Sequence, residues 1–179
     1  VTILPVKSCG MVEPRLIQES LNDKTGLVSI QAVNNELGTI QPLKEIADIL
    51  EARSCFFHCD GAQALGKIAL DVQHLNLDFL SLSSHKVNGP GGIGALYVKD
   101  DYSGGGFLTP QILGGGQENG LRSGTLSAEL CAGFGIACET GCTNLDKNKS
   151  ALQAKRQRFI NLIASLSPEI LGHSDPDWN

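Results

Sequence analysis

The sequence predicts an α/β protein with a largely parallel sheet flanked by helices. Three observations carry that prediction. Strand-like and helix-like patterns alternate along the chain, the arrangement that builds βαβ units. Short apolar runs recur as "GLVSIQAV", "CFFHC", "LDFLSLS" and "GALYV". Between the first two lies a segment of helical period: Pro42 starts it, and Leu43, Ile46, Ala47 and Leu50 fall at i, i+3, i+4 and i+7.

Taken in order, the chain opens on "VTILPV", which reads as a strand. Pro14 to Leu21 follows Glu13 as a short helix with proline at its first position. "GLVSIQAV" is a buried strand, Pro42 to Arg53 a helix, and "CFFHC", "LDFLSLS" and "GALYV" are further strands. After Gly124 the character changes. Ser127, a candidate N-cap, opens a helix to about Glu139. "TGCTN" is expected to interrupt that helix, because glycine costs about 1 kcal/mol relative to alanine there. Lys149 to Leu166 is a second helix, with Phe159, Leu162, Ile163 and Leu166 on one face. The tail "GHSDPDWN" is polar. A domain boundary is expected near residues 140 to 148, dividing residues 1–140 from residues 141–179.

The totals exclude several classes. The 179 residues suit one medium domain, or one domain and part of another, and a hydrophobic share of 41% suits a globular core. A net charge of −5 leaves no basic footprint for nucleic acid. No apolar run is long enough to span a bilayer, and no secretory signal opens the chain. The chain lacks an initiator Met, as a processed chain or a fragment would. Six cysteines in a chain this rich in core residues read as reduced thiols in a cytosol-like compartment. Metal is not expected. Cys55, His58 and Cys59 lie close, but strand alternation sends His58 to the opposite face from the two thiols. Cys138 and Cys142 are four apart, and neither group has a paired CxxC spacing.

Candidate chemistry gathers at the strand ends, where open α/β sheets place ligands. "GLVSIQAV" ends in Asn34, Asn35 and Glu36; "CFFHC" ends in Asp60, with Gln63 one turn later; "FLSLS" ends in Ser83, Ser84, His85 and Lys86. Parallel neighbouring strands would bring these groups to one rim. A lysine in a desolvated cleft becomes a neutral amine that condenses with an aldehyde. Pyridoxal phosphate, the common aldehyde cofactor, needs that lysine, a carboxylate for its ring nitrogen and donors for its phosphate. Asp60 can supply the carboxylate. Asn35 or Gln63 can bond the phenolic oxygen, and Ser83 and His85 can hold phosphate oxygens. Glycine after Lys86 permits a tight turn and close approach. Each residue alone has a plainer role: Asp60 as a turn residue or cap, the Asn pair as an ordinary turn, Lys86 as a surface lysine before Gly-Pro. What points to one ligand is their conjunction on three successive strand ends. A nucleotide-binding domain is a poor rival, since "GGGQENG" lacks the GK[ST] ending of a phosphate loop.

Four segments, "AVNNELGTIQP", "FHCDGAQALGK", "SSHKVNGPGGIGALYV" and "GGGQENGLRSGT", closely resemble the motifs of cysteine desulfurases, of the class V aminotransferase family, in that family's order and near its spacing. The resemblance covers about residues 1 to 166. It implies fold-type I pyridoxal-phosphate architecture: a large α/β domain with a mainly parallel sheet, the start of a small C-terminal domain, and a homodimer. It implies that Lys86 forms the covalent link to the cofactor and that Asp60 partners the pyridine nitrogen. Gln63 and Asn35 would lie near the phenolic oxygen and the substrate, and Ser83 and His85 would bind phosphate. Thr125, the threonine of "RSGT", would reach the phosphate held by the other subunit.

The implied reaction removes sulfur from L-cysteine, with Lys86 taking the α-proton, alanine as product, and a persulfide left on an enzyme cysteine for iron–sulfur cluster or thio-cofactor synthesis. A sulfur-acceptor or scaffold protein is then an implied partner, and a bacterial cytosol, mitochondrion or plastid the implied compartment. The sequence also departs from the pattern. The family's sulfur-accepting cysteine and substrate-carboxylate arginine lie further on than Asn179, and its phosphate loop and ring-stacking histidine lie before Val1. Asn88 stands where the family often has an aromatic residue, and Gly91 where it often has a basic one. Two alternatives follow: a non-catalytic fragment or split-enzyme half, and a selenocysteine lyase or another class V aminotransferase.

Overall fold

The computed structural model describes residues 1–99 and 108–166; the polar tail lies outside them. Helix α1 spans Pro14–Ser20, strand β1 Leu27–Gln31, helix α2 Leu43–Glu51, strand β2 Phe56–Asp60, strand β3 Phe79–Ser83 and strand β4 Gly94–Val98. Helix α3 spans Ala128–Thr143 and helix α4 Leu145–Leu166. The four strands form one sheet in the order β1-β2-β3-β4. β1, β2 and β3 run parallel, with Gln31 beside Asp60 and Asp60 beside Ser81, while β4 pairs antiparallel to β3. The architecture is the expected α/β fold with a mainly parallel sheet.

Alternation along each strand gives the sheet two unlike faces. One carries Ile30, Phe57, Cys59 and Leu80, which join Ile17 of α1 and Leu43, Ile46, Ala47 and Leu50 of α2 in the main core. Ile46 and Cys59 are wholly buried. Removing such a side chain from water contributes about 1.5–3 kcal/mol each, so the periodic stripe of α2, rather than the exposed Lys44–Asp48 pair, is what seats the helix on the sheet. The opposite face is mixed, with Phe56 and Phe79 in ring contact near the strand starts and polar side chains beyond them. There Ser29, His58 and Ser81 stand on neighbouring strands. His58 Nδ1 lies 2.7 Å from Ser29 Oγ, and its Nε2 lies 2.8 Å from Ser81 Oγ. Burial holds His58 below the ordinary imidazole range, against the opposing pull of Asp60.

Two expectations need correction. "VTILPV" is not a strand of the sheet: its only pairing among the described residues is an isolated bridge from Val6 to Val12, and Val1, Ile3 and Val6 are exposed. Its apolar residues suggested a strand, but no neighbouring strand offers them a ladder. Likewise "TGCTN" does not interrupt its helix at the glycine. α3 continues through Gly141 to Thr143, and the break falls at Asn144. A Cβ at Gly141 would lie 2.8 Å from Val87 Cγ2 and 3.2 Å from Gly66 Cα. The glycine is therefore a point of close approach, and the packing it allows outweighs its helix propensity.

Candidate active site

The carboxyl ends of β1, β2 and β3 open on one rim, because the three strands are parallel and adjacent. The rim holds three of the strand-end groups that the sequence singles out. After β1 the chain turns back on itself through a bridge between Val33 and Ile40. Asn34 holds that turn: its Oδ1 accepts from the backbone N–H of Glu36 and Leu37 at 2.9 and 2.8 Å. Asn34 is thus committed to structure, whereas Asn35 is exposed beside it.

Asp60 is the last residue of β2 and is half-buried. Its Oδ1 accepts from Ala62 N–H at 2.9 Å and so fixes the turn that leaves the strand. Oδ2 has no bond among the described residues and stays available to a ligand. Gln63 follows in the same turn, four residues before Lys67. Lys67 Nζ donates to Gln63 Oε1 at 2.9 Å.

β3 ends at Ser83 and passes directly into a 3-10 turn, Ser84–Val87, that presents His85 and Lys86 to solvent. Ser83 Oγ and His85 Nδ1 lie 3.1 Å apart, so hydroxyl and imidazole already stand side by side. Asn88 closes the turn in the left-handed region at φ 65°, a conformation that asparagine tolerates better than most residues. The two residues between them, Ser84 and Val87, are buried. Val87 packs with Phe134 and Ala137 of α3. Lys86 is therefore exposed, on a turn that its buried neighbours anchor.

Glycine around this turn has a steric cause. A Cβ at Gly89 would lie 2.3 Å from Ser84 Oγ, and one at Gly94 would lie 2.6 Å from the carbonyl oxygen of Leu82. Lys67 and Lys86 both line a cavity of about 270 Å³, together with Asn88, Thr140 and Asn148.

Thr125 stands apart. The "GGGQENGLRSGT" segment closes on itself: Gly124 N–H donates to Gln117 Oε1 at 3.0 Å, and Gly116 N–H donates to Ser123 Oγ at 3.3 Å. This leaves Thr125 exposed at the loop's end, with no bond to the strand-end group among the described residues.

The cysteines are free, and they differ in environment. Burial pushes the Cys59 thiol up to about 12, which makes it a core side chain rather than a nucleophile. His58, with both ring nitrogens against serine hydroxyls, is held within the sheet. Among the described residues no group of three or more His, Cys, Asp or Glu side chains could hold a metal ion.

The donor set fits pyridoxal phosphate. A carboxylate with one oxygen free, an exposed amine on an anchored turn and a neighbouring hydroxyl–imidazole pair are the group types that a ring nitrogen, an aldehyde and a phosphate would each require. Sequence reasoning passed over Lys67. The signal was present in its i, i+4 spacing from Gln63.

Comparison with known proteins agrees with this chemistry. The family profile described as aminotransferase class-V matches residues 1–161. Cysteine desulfurase IscS of Rickettsia typhi is 45% identical over 177 residues, which are 99% of this chain and 43% of that protein. A protein named cysteine desulfurase, mitochondrial, of Drosophila melanogaster is 42% identical over 175 residues, 98% of this chain and 37% of that protein. Among solved structures, a NifS-like protein superposes with a TM-score of 0.87 at 34% identity, covering 93% of this chain and 45% of its own. A structure titled SspA in complex with cysteine gives a TM-score of 0.74 at 46% identity, covering 78% of this chain and 40% of that chain. The chain thus spans less than half the length of the curated relatives it matches.

Proposed function

The chain belongs to the aminotransferase class-V family, and from that premise we propose that it carries the cofactor half of a pyridoxal-phosphate-dependent cysteine desulfurase. The observation that supports this most strongly is the convergence of Asp60, Gln63, Ser83, His85 and Lys86 at the ends of adjacent parallel strands and the turns that leave them. The cofactor, when bound, supplies an electron-withdrawing ring that stabilises negative charge at the substrate α-carbon.

This chain's residues do the rest. The free oxygen of Asp60 holds a proton on the ring nitrogen, and its bonded oxygen keeps the carboxylate aimed. Ser83 and His85 hold the phosphate from the strand end. Lys86 Nζ would hold the aldehyde and, once free, would move the substrate α-proton. The short turn beneath it lets one amine serve both tasks, because only its exposed end has to swing. Gln63 and Asn35 bound the phenolic oxygen and the substrate, and Thr125 serves the phosphate of a partner copy, which makes the working unit a homodimer.

L-Cysteine is the proposed substrate, with alanine and a persulfide as products, and with a sulfur-acceptor or scaffold protein as a further partner. The persulfide cysteine is supplied by polypeptide outside these residues, as the 43% share of the relative's length suggests. The same share supports a second reading for residues 1–179 alone: a non-catalytic fragment or split-enzyme half that binds the cofactor weakly, if at all, and releases no sulfide. The large α/β domain is proposed to end near residue 140. The proposed compartment is a bacterial cytosol or an organelle.

The test is the visible absorbance of the protein mixed with pyridoxal phosphate. Lys86→Ala should abolish the band, and a band that survives removes the assignment. Sulfide released from cysteine by the purified 179-residue chain would remove the second reading.

A further inference from the structure

Lys67 lies outside the residue set described above, yet it touches one member of it. Gln63 and Lys67 occupy the turn that follows β2, four residues apart, and Lys67 Nζ lies 2.9 Å from Gln63 Oε1. An amide can present either end to its surroundings, and the two ends differ little in shape. The ammonium removes that ambiguity. It has three N–H groups and no acceptor, so the atom it touches must be the amide oxygen. The amide nitrogen is then left with two N–H groups that have no partner among the described residues.

We propose that Lys67 is a positioning residue that locks the Gln63 side chain as a hydrogen-bond donor toward the cofactor's phenolic oxygen. The inference rests on the cofactor reading above and deepens it. The phenolic oxygen carries negative charge in the working cofactor and needs donors. An unlocked amide could turn its oxygen toward that charge instead.

The surroundings fit the role. The side chain of Lys67 is half-buried, and it lines the same cavity as Lys86. Burial, and then the like charge of Lys86 from the turn after β3, hold Lys67 below the ordinary lysine range. An ammonium under that strain gains most from an amide oxygen that accepts from it. Arginine at position 67 would keep both the charge and the donation. Methionine would keep the length and the apolar stem while losing both.

The experiment follows the pH midpoint of the visible band in the cofactor-loaded protein. A donor to the phenolic oxygen stabilises its negative charge and so eases loss of the neighbouring proton from the lysine–cofactor linkage. Lys67→Met should therefore raise the midpoint by about 0.5–1 unit, the size of one neutral hydrogen bond, and Lys67→Arg should match the parent.

Loss of the Lys67 charge would also raise the midpoint directly, and the background Gln63→Ala separates the two causes. If Lys67 acts through Gln63, Lys67→Met in that background moves the midpoint by less than half as much. An equal shift in both backgrounds, or no shift in either, overturns the inference. A parent without a visible band, or one that keeps its band in Lys86→Ala, removes the underlying reading instead.

Discussion

Gly89→Ala should loosen the turn that carries Lys86, and its size can be worked from the backbone. An added Cβ would stand 2.3 Å from Ser84 Oγ, 3.0 Å from Ala137 Cβ and 3.1 Å from the Ser84 carbonyl oxygen. The hydroxyl can rotate, but Ser84 is fully buried and its Oγ has no hydrogen-bond partner in the described structure, so little space receives it. The carbonyl oxygen accepts from Gly89 N–H at 3.0 Å and is held in place by the turn itself. Overpacking of this kind costs about 1–3 kcal/mol, and the lower entropy of the unfolded alanine chain returns about 0.4–1 kcal/mol. The net loss is at most about 2.6 kcal/mol and centres on about 1.3 kcal/mol, which lowers Tm by roughly 3–5 °C in a chain of this size. Gly91→Ala is the internal control. Its Cβ would meet no atom within 4 Å, and its φ is not among the positive ones. That variant should be neutral, or stabilised by up to about 1 kcal/mol. Urea unfolding of both variants measures the contrast. Equal midpoints for the two alanines would refute the claim that glycine at 89 serves close packing.

Two more perturbations probe the rim and the sheet face. Asp60→Asn keeps an oxygen for Ala62 N–H and so should leave stability within about 0.5 kcal/mol, while on the proposed function the sulfide release of the full-length, cofactor-loaded protein falls on the order of 10²-fold; retained turnover there would remove the proposed ring-nitrogen role. His58 has its pKa lowered by burial, so the unfolded chain binds a proton more readily than the fold does. Its contribution is fully present above the unfolded value near 6.5 and declines as pH falls from there through the lowered folded value. His58→Gln should flatten that decline when urea midpoints are compared at about pH 7.5 and pH 5.5; an unchanged slope would place the acid sensitivity elsewhere.

The strands of the sheet were legible because alternation and turn residues agree over each run. β1, β3 and β4 fall inside the predicted segments, and β2 runs one residue beyond its segment, to Asp60. α2 was legible for the same kind of reason: Leu43, Ile46, Ala47 and Leu50 form one stripe, and all four are buried. What the sequence hid depends on partners distant along the chain. "VTILPV" has strand composition, but pairing is a property of its neighbours. Gly141 has poor helix propensity, and only Val87 and Gly66 against it explain why the helix carries on. In the site, the strand-end residues could be read from position alone, because parallel strands send their ends to one rim. The bond from Lys67 to Gln63 required knowing that residues 61–68 coil back through near-helical turns. Thr125 lies exposed at the end of its own loop, and its proposed role at the rim rests on the proposed homodimer.

The ends of β1 and β2 show a division of labour between polar groups that hold the turn and polar groups left open. At β1, Asn34 spends its oxygen on two backbone N–H groups, and Asn35 is left exposed. At β2, one oxygen of Asp60 is spent on Ala62, and the other is left open. β3 departs from this pattern: Ser84 is buried with its hydroxyl unpartnered in the described structure, while Ser83 and His85 stand side by side. A strand end must satisfy its own backbone before it can offer anything to a ligand, since unpaired buried groups cost about 1–3 kcal/mol each. A polar residue spent on the turn therefore holds the free one in place without competing for the ligand. On this argument Asn34→Ala, which removes the acceptor of the Glu36 and Leu37 N–H groups, should loosen the turn and with it the position of Asn35, read as faster amide exchange at residues 36 and 37; unchanged exchange there would refute it.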